Sequence, residues 1–400
     1  MRNKTSRWLI LAVASLMLVV LVGCEADNPA SIFEESAKGL AAPEIASISP
    51  ADSTLAGIGE IILTGKGFSP IPEENYVFFN KERVVVTEAS ATQLKMKSPV
   101  TPMNPLIIKV AHRDAYVFSN QINYKLLEVF WEWGGFDEYD NIYGMDLDKN
   151  ENLYVAGDKV IDKVTPDGVR IKRFGTMTFP RASGIKMGPG GVLYIARNSN
   201  LLYTMPPTGG AAVKWVTAPG KVYDFDFSES GAVYAGGKNE DLYRILPSGV
   251  GAAIAAYADV YIKAVRVFNG YVYVGGAVNS TSHDYVWRQQ IISDDQLGEK
   301  EVYFDWSGTI DQASEVLAIT FSADGDMYIG TNAPEAIIVV HPDGSYDELY
   351  PGVIFPESYA IAWGNGPYLY INRRNDADVT QQRVIKLNMQ KLGAPYFGRI

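Results

Sequence analysis

NLYVAG (152–157), VLYIAR (192–197), AVYAGG (232–237), YVYVGG (271–276), DMYIGT (326–331) and YLYINR (368–373) are six versions of one short segment. Their central tyrosines, Tyr154, Tyr194, Tyr234, Tyr273, Tyr328 and Tyr370, follow one another at 40, 40, 39, 55 and 42 residues. The segments are rich in aromatic and β-branched residues, which suit a pleated strand. Nine or ten residues before each tyrosine, a second apolar run carries a small residue or Asp: Gly144, Gly184, Asp224, Ala264, Ala318 and Ala360. A turn such as Ser230-Gly231 or Asp324-Gly325 separates the two runs. After the tyrosine come a third strand, a Pro/Gly turn such as Pro166-Asp167-Gly168 or Pro342-Asp343-Gly344, and a fourth strand such as Val169 to Phe174.

A repeating unit of about 40 residues with four strands is the blade of a β-propeller. Six units predict six blades over 127–400, with small residues where the inner strands crowd the axis. Two segments compete to close the ring: VFWEWGG (129–135) and the last residues, 393–400. The fourth unit is about 15 residues longer than its neighbours. The extra length is expected in loops around Asn279 to Asp284 and Trp306 to Ala313. The blade pattern resembles that of NHL-repeat propellers, which read roughly G-I-A-V-D-x-x-G-x-(I/L)-Y-V-A-D. That resemblance spans about 128–400 and implies long loops on one face, the upper, and tight Pro-Gly turns on the other.

Outward from the repeats, the N-terminal part divides in three. Residues 1–23 read as a secretory leader: Arg2, Lys4 and Arg7 precede the uncharged run Trp8 to Val22, which is short for a membrane-spanning helix. The run ends in Leu21-Val22-Gly23-Cys24, which resembles a bacterial lipobox. The resemblance implies cleavage before Cys24 and lipid on its sulfur, hence a membrane partner and a place in the cell envelope, on the outer membrane or cell surface. Cys24 is the chain's single cysteine, so no internal disulfide is available. Residues 24–42 are small, polar and acidic, and read as a tether. Glu25 and Asp27 resemble export signals of surface lipoproteins in Bacteroidetes-like bacteria.

From 43 to 126, short apolar runs alternate with Gly, Pro and Asn, the pattern of a β-sandwich. Ile45-Ala46-Ser47-Ile48-Ser49-Pro50, the turn Leu63-Thr64-Gly65-Lys66-Gly67-Phe68, and Asn120 to Tyr124 resemble the immunoglobulin-like IPT/TIG family. Phe68 is expected to plug the sandwich core. The resemblance implies a spacer or protein-contact module. His112, among Lys109, Arg113 and Asp114, is expected on a solvated strand or turn. The fold class is therefore all-β: an immunoglobulin-like (IPT/TIG) sandwich followed by a six-bladed propeller.

A net charge of -11, falling to -14 without the three basic leader residues, argues against a nucleic-acid partner. Nothing resembles a nucleophile elbow, a phosphate-binding loop or a cysteine nucleophile. Asp146-x-Asp148-x-Asn150-x-Asn152 has calcium-loop spacing but lacks the glycine and the downstream glutamate. It coincides with a strand turn and reads as one. His283 is placed in a solvated upper loop and His341 in a lower turn. No catalytic residue, metal ligand or cofactor is assigned.

Residues just before each inner strand enter from the upper face: Tyr143, Arg181 with Ser183, Tyr223, Lys263, Glu315 and Tyr359. Loops after the tyrosine strands add Arg197, Asn198, Asn239, Asn279, Asn332 and Arg373. Rings beside amides and charges suit a sugar or peptide. The arrangement of lipobox, IPT/TIG domain and NHL-like propeller resembles lipoproteins of Bacteroidetes-type bacteria associated with glycan capture. The expected activity is non-catalytic capture of a glycan on the upper face. The alternatives are a protein-interaction or adhesion module, and a lactonase-like hydrolase or polysaccharide lyase.

Overall fold

The computed structural model describes residues 39–238, 241–374 and 378–399. Cys24, the leader (1–23) and Asn239 lie outside the described residues.

In the N-terminal sandwich, one sheet orders Glu44–Ser49, Glu60–Lys66, Gln93–Lys97 and Val86–Ala89. The other orders Ser53–Leu55, Ile122–Leu127, Met103–His112, Asn75–Phe79 and Glu82–Val84. Burial alternates along the strands, so Val77 and Phe79, and Leu106, Ile108 and Val110, fill the core. Phe68 is buried as expected. A side chain at Gly65 would strike the carbonyl of Glu44, and Gly67 sits at φ +74, where glycine alone is unstrained. His112 ends the strand Met103–His112, as one of the two expected placements has it, but it is buried rather than solvated, and its Nδ1 accepts the Asp114 N–H at 3.1 Å. The ring satisfies a turn donor, which a solvated histidine would not.

The second part is a six-bladed propeller, each blade an antiparallel sheet whose first strand is innermost. The inner strands are Gly144–Leu147, Asp224–Phe227, Val316–Phe321 and their counterparts Gly184–Met187, Val260–Phe268 and Ser358–Trp363. The six repeated tyrosine segments form the second strands, as the spacing predicts. Phe130–Glu132 pairs with Arg383–Asn388 and supplies the outermost strand of the sixth blade. The N-terminal segment thus closes the ring.

The longer fourth unit is built differently from expectation. Asn279 to Ser282 is only a tight turn, and Asp284 lies within the strand His283–Ser293. Extended strands and a hairpin at Gln296–Leu297 take up part of the extra length, while Trp306 to Ala313 is a non-strand connection as expected, opened by a helical turn at Trp306–Thr309. His283 is therefore no loop residue. It stacks on Tyr285 and its Nε2 lies 2.6 Å from Asp305. The Asp146 to Asn152 stretch is a turn: Asp148 accepts from the N–H of Asn150 and Asn152, the Asn152 amide and the Tyr154 hydroxyl.

The C-terminal segment, freed from ring closure, lies across the lower end of the axis. Ala394 N–H donates to Phe321 O at 3.0 Å, and the Tyr396 hydroxyl accepts from Phe321 N–H at 3.0 Å. Phe397 meets Phe227, with ring centroids 6.2 Å apart. A side chain at Gly398 would collide with the Met187 carbonyl. Arg399 donates to Leu147 O at 3.1 Å and to Trp363 O, and pairs with Asp146. With Arg266 over the Tyr396 ring at 5.1 Å, the segment touches all six blades.

His341 sits between Asp326, 2.8 Å from Nδ1, and Asp347, 3.1 Å from Nε2. These two hydrogen bonds raise its pKa despite partial burial. The folded state holds this proton more tightly than the unfolded chain. The contribution is complete below the ordinary value of about 6.5 and is lost as pH rises through the folded value. Asp347 is exposed and the His341 ring is only half-buried, although Asp326 is buried, so solvent screens much of the interaction and we expect no more than about 1 kcal/mol. Denaturation of wild type and His341→Gln at pH 5.5 and 8.5 checks this: the gap between them should narrow at the higher pH.

Candidate functional site

Side chains alternate along a strand, so the small residue of each inner strand and the residue two positions on share the axial face. The first of these are the small set with Asp224. The second are Asp146, Lys186, Asp226, Arg266, Thr320 and Ala362. They place acid, base, acid, base and two neutral groups around the axis. The residues just before, at the rim, are Tyr143, Ser183, Tyr223, Lys263, Leu317 and Tyr359.

These layers enclose a cavity of about 160 Å³ on the axis. Tyr143, Ser183, Tyr223, Lys263, Tyr359 and Arg374 line its rim, and Lys186, Asp224 and Arg266 its depth. Gly184 allows this closeness, because a Cβ there would sit 2.7 Å from Asp224 Oδ1 and 3.0 Å from Tyr223 O.

Buried acids knit the blades together. On the axial strands Asp146 accepts the Met187 N–H at 2.6 Å, Asp224 that of Val265 at 2.9 Å and Asp226 that of Val267 at 2.9 Å, and from the fourth blade's third strand Asp284 accepts that of Val316 at 2.9 Å. Each bond runs from one blade to the next. Lys186 pairs with Asp224 at 3.2 Å, and Arg266 donates to Ile319 O at 2.7 Å. Burial pushes the Asp146 carboxyl up, but Arg399, Lys186 and Arg266 outweigh it and hold it below the usual range. At Asp226 burial wins over Arg266 and Lys186, and the pKa is raised. Among the described residues, no group of three or more His, Cys, Asp or Glu is gathered as metal ligands.

Two of the rim phenols, Tyr143 and Tyr223, are pushed above their ordinary value. Burial, then the nearby Tyr261 and Asp224, holds Tyr223 far above its ordinary value. Burial and a hydrogen bond to Asp158 at 2.9 Å raise Tyr143. Tyr223 packs edge-on against Tyr261 at 5.6 Å. Arg181 lies 5.2 Å over the Tyr143 ring and Arg374 5.1 Å over Tyr359, within cation–π range.

The structure brings Tyr143, Tyr223, Lys263 and Tyr359 to one cavity, with Arg181 stacked beside it. Glu315 reaches Lys263 at 3.1 Å, while Leu317 takes the rim position of the fifth blade. Asn332 instead caps a turn, its Oδ1 accepting the Glu315 N–H at 2.8 Å. Arg197 packs over Phe179 and Tyr203 and donates to Ser199, away from the cavity. Its short loop turns it onto the second blade's own outer strands. Arg374, Lys186 and Arg266 escaped the sequence reading. For Lys186 and Arg266 the signal was the charge alternation two residues after each small residue, while Arg374 directly follows the sixth tyrosine strand.

Similar folds occur in several solved structures. One is an auxiliary nutrient binding protein of Bacteroides thetaiotaomicron, 12% identical, with a TM-score of 0.53 over 87% of this chain and 98% of that one. Another, from the same organism, is titled a putative phosphatase, 11% identical, with a TM-score of 0.55 over 87% and 97%. A third, titled a putative gluconolactonase, is 13% identical, with a TM-score of 0.50 over 67% and 94%. Three differently named proteins on one architecture show a shared fold and no more. Among curated proteins, none matches this sequence. Residues 43–126 match the family model of the IPT/TIG domain, so the chain carries an immunoglobulin-like domain of that family.

Proposed function

We propose that the chain is a lipid-anchored binding protein of the cell envelope that captures a saccharide at the axial rim of its propeller, without catalysis. The observation that carries this reading is the convergence of Tyr143, Tyr223 and Tyr359 with Lys263 and Arg374 on one cavity. Sugar rings present apolar C–H faces to aromatic rings, and their hydroxyls need donors and acceptors. The axial acids are engaged with backbone N–H groups or cations of neighbouring blades, a structural use that competes with a catalytic one. The fold shared with a protein called auxiliary nutrient binding supports a capture role. The lipobox at Cys24 supports the anchor and the IPT/TIG domain a spacer role.

A glycan array probed with the purified full chain tests the reading, alongside metal analysis of the same sample. Specific saccharide binding that weakens about tenfold or more in Tyr143→Ala or Tyr223→Ala is expected, corresponding to about 1.4 kcal/mol or more of lost contact. A stoichiometric metal with no saccharide bound would send the reading to lactone and ester substrates. Neither signal would leave a protein-contact module.

A further inference from the structure

We propose that the captured saccharide is acidic, and that its carboxylate docks on Lys263 at the axial cavity by displacing Glu315. The inference rests on the saccharide reading above and adds the ligand's charge.

Lys263 is an unusual cation. Its side chain is only 7% exposed, yet it borders the cavity. Glu315 Oε1 lies 3.1 Å from Nζ and Asp284 Oδ2 3.5 Å. Neither direction is good for hydrogen bonding, so this buried ammonium makes no well-directed bond among the described residues. An ammonium has three protons to place. Asp284 is already committed to the Val316 N–H at 2.9 Å. The charge is therefore balanced while its donors remain available to an oxygen arriving through the cavity.

Glu315 differs from Asp284. Its side chain is 48% exposed, against 4% for Asp284. Its backbone is pinned by Asn332, so the carboxylate can swing to solvent without moving the strand. It occupies the place a ligand carboxylate would take. Exchanging one carboxylate for another preserves the charge balance around the buried ammonium, whereas a neutral ligand that displaced Glu315 would not.

The lining itself carries the same sign: Lys186, Lys263, Arg266 and Arg374 border the cavity directly, where Asp224 is the one carboxylate among the lining residues, while Asp226, Asp284 and Glu315 pair with these cations from behind it. The cavity, about 160 Å³, is smaller than the ~300–1,000 Å³ typical of sites for whole small molecules. It suits one acidic end group, with the rest of the saccharide lying over Tyr143, Tyr223 and Tyr359.

The test is calorimetric titration of the full chain with matched pairs of oligosaccharides: uronate-bearing ones and their neutral methyl esters, with sulfated oligosaccharides as a further arm. We expect at least one uronate to bind about tenfold or more tighter than its ester. Lys263→Met should erase the difference. Glu315→Gln should tighten the acid several-fold and leave the ester unchanged. Equal binding of acid and ester, or a preference that survives Lys263→Met, overturns the inference and leaves saccharide capture standing. Binding of sulfated but not uronate ligands also overturns it, since the site then reads sulfate. If no saccharide of either charge binds, the capture reading falls and takes this one with it. Should Lys263→Met fail to fold, because Asp284 loses its cation, the exposed Glu315→Gln decides: an unchanged acid affinity overturns the proposal.

Discussion

Replacing Arg399 with alanine is expected to destabilise the propeller by about 3–5 kcal/mol, the usual loss when one partner of a buried ion pair is removed. The guanidinium side chain is 2% exposed and its partner Asp146 4%. Arg399 also satisfies the carbonyls of Leu147 and Trp363. The variant leaves Asp146 ionised near the axis with less compensation, because Arg399 is the leading cation that offsets its burial. Urea denaturation of both proteins at neutral pH measures the loss. Asp146→Asn combined with Arg399→Met removes both charges together and should recover much of it, since an Asn oxygen still accepts the Met187 N–H. A loss under about 1 kcal/mol in Arg399→Ala would mean that the C-terminal segment does not hold the lower end of the axis.

Trp363→Ala is expected to cost about as much, roughly 3–5 kcal/mol, for a different reason. Trp363 ends the sixth inner strand and is wholly buried. Its ring meets Tyr328 of the fifth blade edge-on at 5.1 Å, and it packs with Ile361, Leu369, Leu387 and Met389. Truncation removes this contact and leaves a cavity between two blades that a closed ring cannot collapse to fill. Trp363→Phe keeps most of the packing but loses the indole N–H bond to Gly366 O at 3.0 Å. Its cost should therefore be clearly smaller, about 1–2 kcal/mol. Thermal unfolding of the three proteins gives the order, and equal losses for Ala and Phe would show that the hydrogen bond, not the volume, matters there.

The repeat around the six tyrosines was enough to specify blades, because strand period and turn chemistry are local properties written at a fixed interval. Tyr154 and its counterparts fall on second strands for that reason. The Gly65 to Phe68 turn was legible on the same grounds: left-handed backbone and a buried ring follow from residue type. The rim tyrosines were legible too, because position within a repeat translates directly into position around an axis.

What the chain does between distant residues was not legible. Ring closure by Phe130–Glu132 rather than by 393–400 depends on pairing across some 250 residues, and both segments have suitable composition. The path of Tyr396 and Arg399 through the lower axis depends on a space that exists only after six blades have closed. Arg197 and Lys263 are both cations near blade tops in sequence, yet one covers aromatic rings and the other borders the cavity. Sequence alone determined the inner and second strands of the six blades and which face of each looks at the axis, since both follow from local periodicity, but not the extended third strand of the fourth blade. Only the tertiary structure decided which charges meet there, because an ion pair forms between side chains brought together by closure, and closure is a property of the whole ring.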